Sequence, residues 1–330
     1  MIEAVLKRYF GDKSYLVKNK KLIFFLLKLF IAAGLLWFIV SEIKFSEIVS
    51  AIEGANAGFL IAAFILTFLN IYLQYIKWKF TCNLLLNENS KSKIFTSLLH
   101  GLAAGVFTPA RIGEYFGRAL VFKEKPVYKV ALATLLDKFF PLLMVAIFGS
   151  ISSILFLHFQ YEVTSFITLS LFIALFTLFY FLIYFLLNER FWDSFIFEKL
   201  RKSKRLRYFL DKIKEFKNLD RKYFSKMLII SFLFYFCFLV QYALLVAAFS
   251  HHFNFFDYLW AGNLIMFAKT IIPPISLGEL GIREGASVYF ISRLGESASV
   301  GFNASIFLFV INVLFPSIIG LFLLIKKSDD

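Results

Sequence analysis

Charged residues are scarce in this sequence, and that shortage excludes most soluble classes of protein. Only 18% of the 330 residues are charged, whereas 60% are hydrophobic and Phe alone contributes 46. A soluble domain of this length needs a larger charged surface. Cys82 and Cys237 are the only cysteines, too few for a disulfide framework or a thiolate cluster. There is no set of His, Cys and Asp at metal-ligand spacing and no G-x-x-x-x-G-K-[ST] stretch, so the sequence predicts no cofactor, no metal and no ATP use by that route.

The sequence contains several long apolar runs. Six of them are about as long as the ~20 residues that a helix needs to cross a ~30 Å hydrocarbon core. They are Leu22–Val40, Gly58–Ile76, Val130–Leu157, Val163–Leu187, Met227–Phe249 and Phe302–Ile325. The sequence therefore predicts an all-α polytopic membrane protein with about six transmembrane helices.

Two further apolar stretches, 94–122 and 258–291, are interrupted by prolines. Thr108-Pro109 divides the first and Pro273-Pro274 divides the second. Each half is too short to cross a bilayer at ~1.5 Å per residue. Each stretch is therefore either one kinked crossing or a re-entrant hairpin that turns within the membrane.

The distribution of Lys and Arg decides between these alternatives, because cytoplasmic loops carry the excess of positive charge. With two hairpins, the cytoplasmic side receives 28 Lys and Arg residues and the outside only Lys44 and Arg293. Both termini are then cytoplasmic, which points to a multi-pass protein of the cytoplasmic membrane. The net charge of +14 is accounted for by this asymmetry and predicts no nucleic-acid partner.

The hairpin topology organises residues 1–330 as a single membrane domain with two halves. The first half spans 22–187 and the second 227–325, and a basic amphipathic connector, 188–226, joins them on the cytoplasmic side. Three crossings separate the hairpins, so they enter from opposite sides. This relates the halves as an inverted repeat, a common plan among secondary transporters.

A repeated pattern at the two breaks supports that relation. Residues 109–118 and 274–283 both read P-x-x-x-G-E-x-x-x-R. The surrounding segments, GVFTPARIGEYFGRALVF and IIPPISLGELGIREGASVYF, resemble the signature stretches of the lysylphosphatidylglycerol synthase transmembrane, or flippase-like, family. Members that aminoacylate lipids carry an additional soluble domain, which this sequence lacks. The resemblance therefore implies the lipid-translocating part of such proteins.

Charged residues follow both breaks, where they are costly in a membrane and usually functional. The predicted substrate-binding residues are Arg111, Glu114, Arg118, Lys269, Glu279, Arg283 and Glu284. The residues predicted to form the hairpin breaks are Thr108, Pro109, Gly113, Pro273, Pro274, Ser276 and Gly278. Glu114–Arg118 and Glu279–Arg283 have the i,i+4 spacing of helical ion pairs. Such pairs either bind an anionic head group or only neutralise each other.

The backbone at the breaks favours an anion site. Thr108 is suited to an N-cap with Pro109 in the first helical turn, and Ser276 with Glu279 has the spacing of a capping box. Half-helices that begin inside the membrane would direct N–H groups at a phosphate or carboxylate. Asp137 and Lys138 are predicted to pair with each other or with the hairpin tips. His100 is either a proton relay or a packing residue.

The leading hypothesis is a non-enzymatic translocator that moves an anionic or glycosylated lipid head group between two opposed hairpins. One alternative is a membrane-embedded lipid-modifying transferase, for which Glu42, Glu47 and Glu53 would supply carboxylates. The other is an accessory subunit of a lipid or envelope-biosynthesis complex, whose partner does the chemistry. The expected partners are membrane lipids, together with an envelope-biosynthesis protein or further copies of this chain.

Overall fold

A computed structural model describes residues 54–106, 108, 111–187, 221–250, 252–272 and 281–326. This part of the chain is helical and contains no strand. In chain order the helices are α1 (Ala57–Thr81), α2 (Lys91–Val106), α3 (Gly113–Ala119), α4 (Val127–Gln160), α5 (Ser165–Leu187), α6 (Arg221–Ser250), α7 (Phe255–Ile271), α8 (Ile282–Arg293), α9 (Ala298–Phe309) and α10 (Phe315–Lys326). Two π-helical turns follow α1 (Cys82–Leu86) and join α9 to α10 (Val310–Leu314).

Five helical stretches among the described residues are long and apolar enough to cross a bilayer. They are Ala57–Leu86, Val127–Gln160, Ser165–Leu182, Lys222–Ser250 and Ala298–Ile325. Each overlaps one of the predicted spans, which confirms the all-α polytopic class. The remaining predicted span, Leu22–Val40, lies outside the described residues. So does most of the predicted connector, although its last residues, from Arg221, already belong to α6.

Helix α5 shows most directly that the surroundings are lipid. Within its apolar window Ser165–Leu182, Thr168 is the one buried residue. Phe166 and Leu169 are 80% and 60% exposed. A helix whose apolar side chains are exposed over most of its surface is stable in hydrocarbon and insoluble in water.

The first predicted hairpin is present as the antiparallel pair α2 and α3. Glycines allow the two helices to approach each other closely. A Cβ on Gly113 would overlap the carbonyl oxygen of Ala104, and a Cβ on Gly117 would lie 2.5 Å from the carbonyl oxygen of His100. The Ser97 hydroxyl also donates to the Arg118 carbonyl, at 3.0 Å. Small residues permit this backbone approach between membrane helices. His100 is buried in this contact.

The centre of the protein is the antiparallel pair α1 and α6. The Asn56 N–H donates to the Ala248 carbonyl at one end, and Thr81 bonds to Tyr223 at the other. Midway between them, the Gln241 amide donates to Ala63 O at 3.1 Å and accepts from the Asn312 amide at 3.0 Å. These buried amides are partnered, as they must be in a medium that offers no water.

Each hairpin packs against the helix that follows the hairpin of the opposite half, the first against α10 and the second against α4. In one contact, the Ser317 hydroxyl of α10 donates to the Leu102 carbonyl of α2 at 3.1 Å. In the other, the Asn263 amide of α7 donates to the Phe148 carbonyl of α4 at 3.1 Å. Glycines bring both pairs together, Gly320 against α2 and Gly149 against Phe267 of α7. This reciprocal packing is the arrangement that an inverted repeat requires.

Candidate functional site

Glu114 is the centre of a buried charge cluster at the first hairpin. Its carboxylate lies 2.6 Å from the Arg118 guanidinium, one helical turn along α3, so the predicted i,i+4 pair forms. It also lies 2.7 Å from Lys138 Nζ of α4 and 3.5 Å from the Arg111 guanidinium. The Glu114 residue is only 3% exposed. One carboxylate thus serves three cations.

Asp137 is the second carboxylate of the cluster. It lies 2.9 Å from the Arg118 guanidinium and 3.2 Å from Lys77 Nζ of α1. Arg118 therefore bridges both carboxylates, and its guanidinium lies 4.3 Å from the centre of the Trp78 ring. Asp137 and Lys138 were predicted to pair with each other or with the tip, and the described contacts are with the tip and with Lys77.

A proline explains why Lys77 reaches this point. Pro141 lies inside α4 and has no N–H, so the carbonyl four residues earlier, that of Asp137, loses its helical partner. Lys77 Nζ donates to that carbonyl at 2.7 Å as well as pairing with the Asp137 carboxylate. One buried ammonium thereby serves two acceptors that the helix cannot satisfy.

A cavity of about 570 Å³ opens beside the cluster. Its polar wall consists of Lys77, Arg111, Glu114, Arg118, Asp137 and Lys138, with Lys269 and Thr270 of α7 on the other side. Leu135 and Leu142, which also line it, are 55% and 49% exposed on the outer surface of α4. The cavity therefore extends from buried charges to an apolar surface, as an amphipathic molecule requires.

The backbone at the first tip differs from the prediction. Arg111 has φ 54°, a left-handed conformation that cannot be part of a helix, so α3 begins only at Gly113. The Thr108 hydroxyl accepts from the Gly113 N–H at 2.7 Å, five residues on, in place of the expected cap of a helix starting at Pro109. Pro109 itself lies outside the described residues. The Gly113 N–H at the start of α3 is therefore taken by Thr108 and is not available to a ligand.

At the second tip, Gly281 has φ 96° and α8 begins at Ile282. Among the described residues, Arg283 pairs with Glu284 and donates to Ser305 at 3.1 Å. The predicted pair of Glu279 with Arg283 stays a prediction. The Glu284 carboxylate accepts from the Gly281 N–H at 2.6 Å. The predicted break residues Pro273, Pro274, Ser276 and Gly278, together with Glu279, lie outside the described residues.

The described residues of the two tips contribute unequally to the site. Arg283 and Glu284 are nearly fully buried, at 2% and 5% exposed, and do not line the cavity. The Arg283 guanidinium lies 5.1 Å from the Phe309 ring centre. Lys269 of the second hairpin does line the cavity, and its predicted role in substrate binding stays a prediction. The structure brings Arg111, Glu114, Arg118, Asp137, Lys138 and Lys269 together and keeps Arg283 and Glu284 apart from them.

Sequence reasoning missed Lys77. The predicted span Gly58–Ile76 ends just before it. The helix continues to Thr81, and after Lys79 no charged residue occurs before Glu88. Cations inside a helix that continues past the expected end of a span were the signal that could have found it.

Arg111 offers a test that separates backbone strain from charge. Arg111→Gly and Arg111→Ala both remove the guanidinium, but only glycine adopts φ 54° without steric cost. We expect the glycine variant to be more stable than the alanine variant by about 1 kcal/mol. Thermal unfolding of both in the same detergent measures the difference.

The matched control is the same pair of substitutions at Lys138, inside α4, where glycine is expected to be the less stable by about 1 kcal/mol. The same order at both positions would show that Arg111 is not held in a left-handed conformation.

The fold and the cluster define a multi-pass α-helical membrane protein with a charged cavity among its helices. The family model described as the lysylphosphatidylglycerol synthase TM region matches residues 25–320, and the chain belongs to that family. The predicted resemblance is thereby confirmed over nearly the whole chain, and a membrane role connected with lipid follows from it. A search of curated proteins finds no match.

Proposed function

We propose that the protein is a lipid translocator of the cytoplasmic membrane, with its termini on the cytoplasmic side, that accepts a polar or anionic head group in the cavity beside Glu114. The observation that carries the proposal is the cavity itself, since it joins buried charges to the lipid-facing residues Leu135 and Leu142. A soluble solute needs no apolar exit, and a purely structural ion cluster needs no cavity.

The arrangement of the halves supports movement of the head group. Each hairpin packs on a helix of the opposite half, so a rocking of one half moves both hairpins together. The cavity wall is drawn from both, because Arg118 lies on α3 and Lys269 on α7. A change in the angle between the halves would alter access to the charges without breaking the cluster around Glu114.

Translocation is testable with purified protein in liposomes that contain acyl-labelled fluorescent phosphatidylglycerol. Dithionite bleaches the outer leaflet, and a translocator makes the inner leaflet bleachable as well. We expect the wild type to do this and Lys138→Gln to slow it about tenfold, because one charge of the site is lost. Lys91→Gln, an exposed cation at the start of α2, is the matched control and should behave as wild type.

Wild-type bleaching kinetics equal to those of empty liposomes would overturn the proposal. So would equal rates for the wild type and Lys138→Gln, because lipid would then cross the bilayer without using the cavity.

A further inference from the structure

The charge cluster separates into a neutral part and a surplus. Two buried cations, Lys77 and Arg118, match the two carboxylates, Glu114 and Asp137, in number. The residues Lys77 and Arg118 are only 3% and 2% exposed, and both carboxylates are equally buried. This part of the cluster neutralises itself, as buried ions must.

Two more cations, Arg111 and Lys138, stand at the cavity wall beyond that neutral part. Both approach the same oxygen, Oε2 of Glu114, at 3.5 Å and 2.7 Å. Their side chains are 22% and 30% exposed, so they face the cavity more openly than the inner pair. Since the carboxylates are already matched, the described cavity wall has a surplus of two positive charges even without counting Lys269.

We propose that the cavity selects a phosphomonoester dianion over a monoanionic or zwitterionic head group. A surplus of at least two positive charges in a medium of low dielectric is compensated better by a ligand with two negative charges than by one with a single charge. A phosphomonoester has about that charge near neutral pH and presents three terminal oxygens. This inference rests on the proposed function, because it specifies the head group that the same cavity accepts.

The donors around the cavity suit several terminal oxygens. The Arg111 guanidinium offers planar N–H pairs, and its Nε–H has no acceptor among the described residues. Lys138 Nζ lies 5.2 Å from the centre of the Tyr115 ring, which holds the ammonium at the cavity wall. Thr270 of α7 adds a hydroxyl on the far side. A phosphodiester, with two terminal oxygens and one charge, would leave part of this set unused.

Binding by the purified full chain in neutral detergent tests the charge preference. The ligands are phosphatidic acid, which is a phosphomonoester, phosphatidylglycerol, which is a phosphodiester, and inorganic phosphate. Binding is measured as the shift in Tm and as lipid retained in native mass spectrometry. At pH 8 we expect phosphatidic acid to bind about tenfold more tightly than phosphatidylglycerol, the effect of one additional charge. At pH 5, where the phosphomonoester loses its second charge, the two lipids should bind equally.

Single variants connect the preference to the two surplus cations. Lys138→Gln and Arg111→Gln should each abolish the tenfold preference at pH 8, and Lys91→Gln should retain it. If inorganic phosphate binds as tightly as phosphatidic acid and loses affinity in the same variants, the cavity still prefers a dianion. The ligand is then the soluble ion and not a lipid head group.

Equal affinity of the wild type for the two lipids at pH 8 would overturn the inference. Fluorescent phosphatidylglycerol that still crosses the bilayer in a Lys138-dependent manner would leave the proposed function intact in that case. Loss of both selective binding and translocation would overturn the inference and the proposed function together.

Discussion

Glu114→Gln is expected to lower the free energy of unfolding by about 3–5 kcal/mol, the usual effect of removing one partner from a buried ion pair. The carboxylate lies within 4 Å of Arg111, Arg118 and Lys138, and glutamine keeps its size but not its charge. Asp137 would then be the one carboxylate left among the described lining residues to balance five cations, Lys77, Arg111, Arg118, Lys138 and Lys269. Equilibrium unfolding in mixed micelles measures the loss.

The cluster has fewer carboxylates than cations. Removing a cation should therefore lower the free energy of unfolding much less than removing a carboxylate. Lys138→Gln leaves Glu114 with Arg118 and Arg111, and the Lys138 side chain is already 30% exposed. We expect its effect to be below about 1 kcal/mol. Glu124→Gln, an exposed acid between α3 and α4, is the matched control and should change stability by less than about 0.5 kcal/mol. Equal losses of stability for Glu114→Gln and Lys138→Gln would contradict the conclusion that the carboxylates are the scarce partners in the cluster.

The described spans and the first hairpin were predictable because they depend on local sequence. A long apolar run has one low-energy state in a bilayer, and Thr108-Pro109 interrupts such a run visibly. The Glu114–Arg118 pair was predictable for the same reason, since its spacing alone places both side chains on one face of α3.

The contacts of Lys77 could not be predicted, because they depend on tertiary packing. Pro141 frees the Asp137 carbonyl locally, but only the approach of α1 to α4 shows which side chain takes it. The different positions of Arg118 and Arg283 could not be predicted either. The repeated P-x-x-x-G-E-x-x-x-R pattern suggested equal roles for them, whereas Arg118 lines the cavity and Arg283 pairs with Glu284 and donates to Ser305.

Gly320→Ala is expected to destabilise the protein by about 3 kcal/mol, because a Cβ at this position would overlap the Leu99 carbonyl oxygen. The obstacle is the backbone of α2, which cannot rotate away as a side chain can. Helices α10 and α2 would have to separate, which weakens the hydrogen bond from Ser317 to the Leu102 carbonyl. The loss is measured by unfolding in mixed micelles.

Gly285→Ala provides the comparison, because it changes a helical glycine to the same residue. No atom of the described residues lies within 4 Å of a Cβ at Gly285, and alanine is the better helix former by about 1 kcal/mol. We therefore expect Gly285→Ala to be neutral or slightly stabilising. If Gly320→Ala were equally harmless, α2 and α10 would not be in close backbone contact. The packing of the first hairpin on the opposite half, on which the coupled movement of the hairpins depends, would then be wrong.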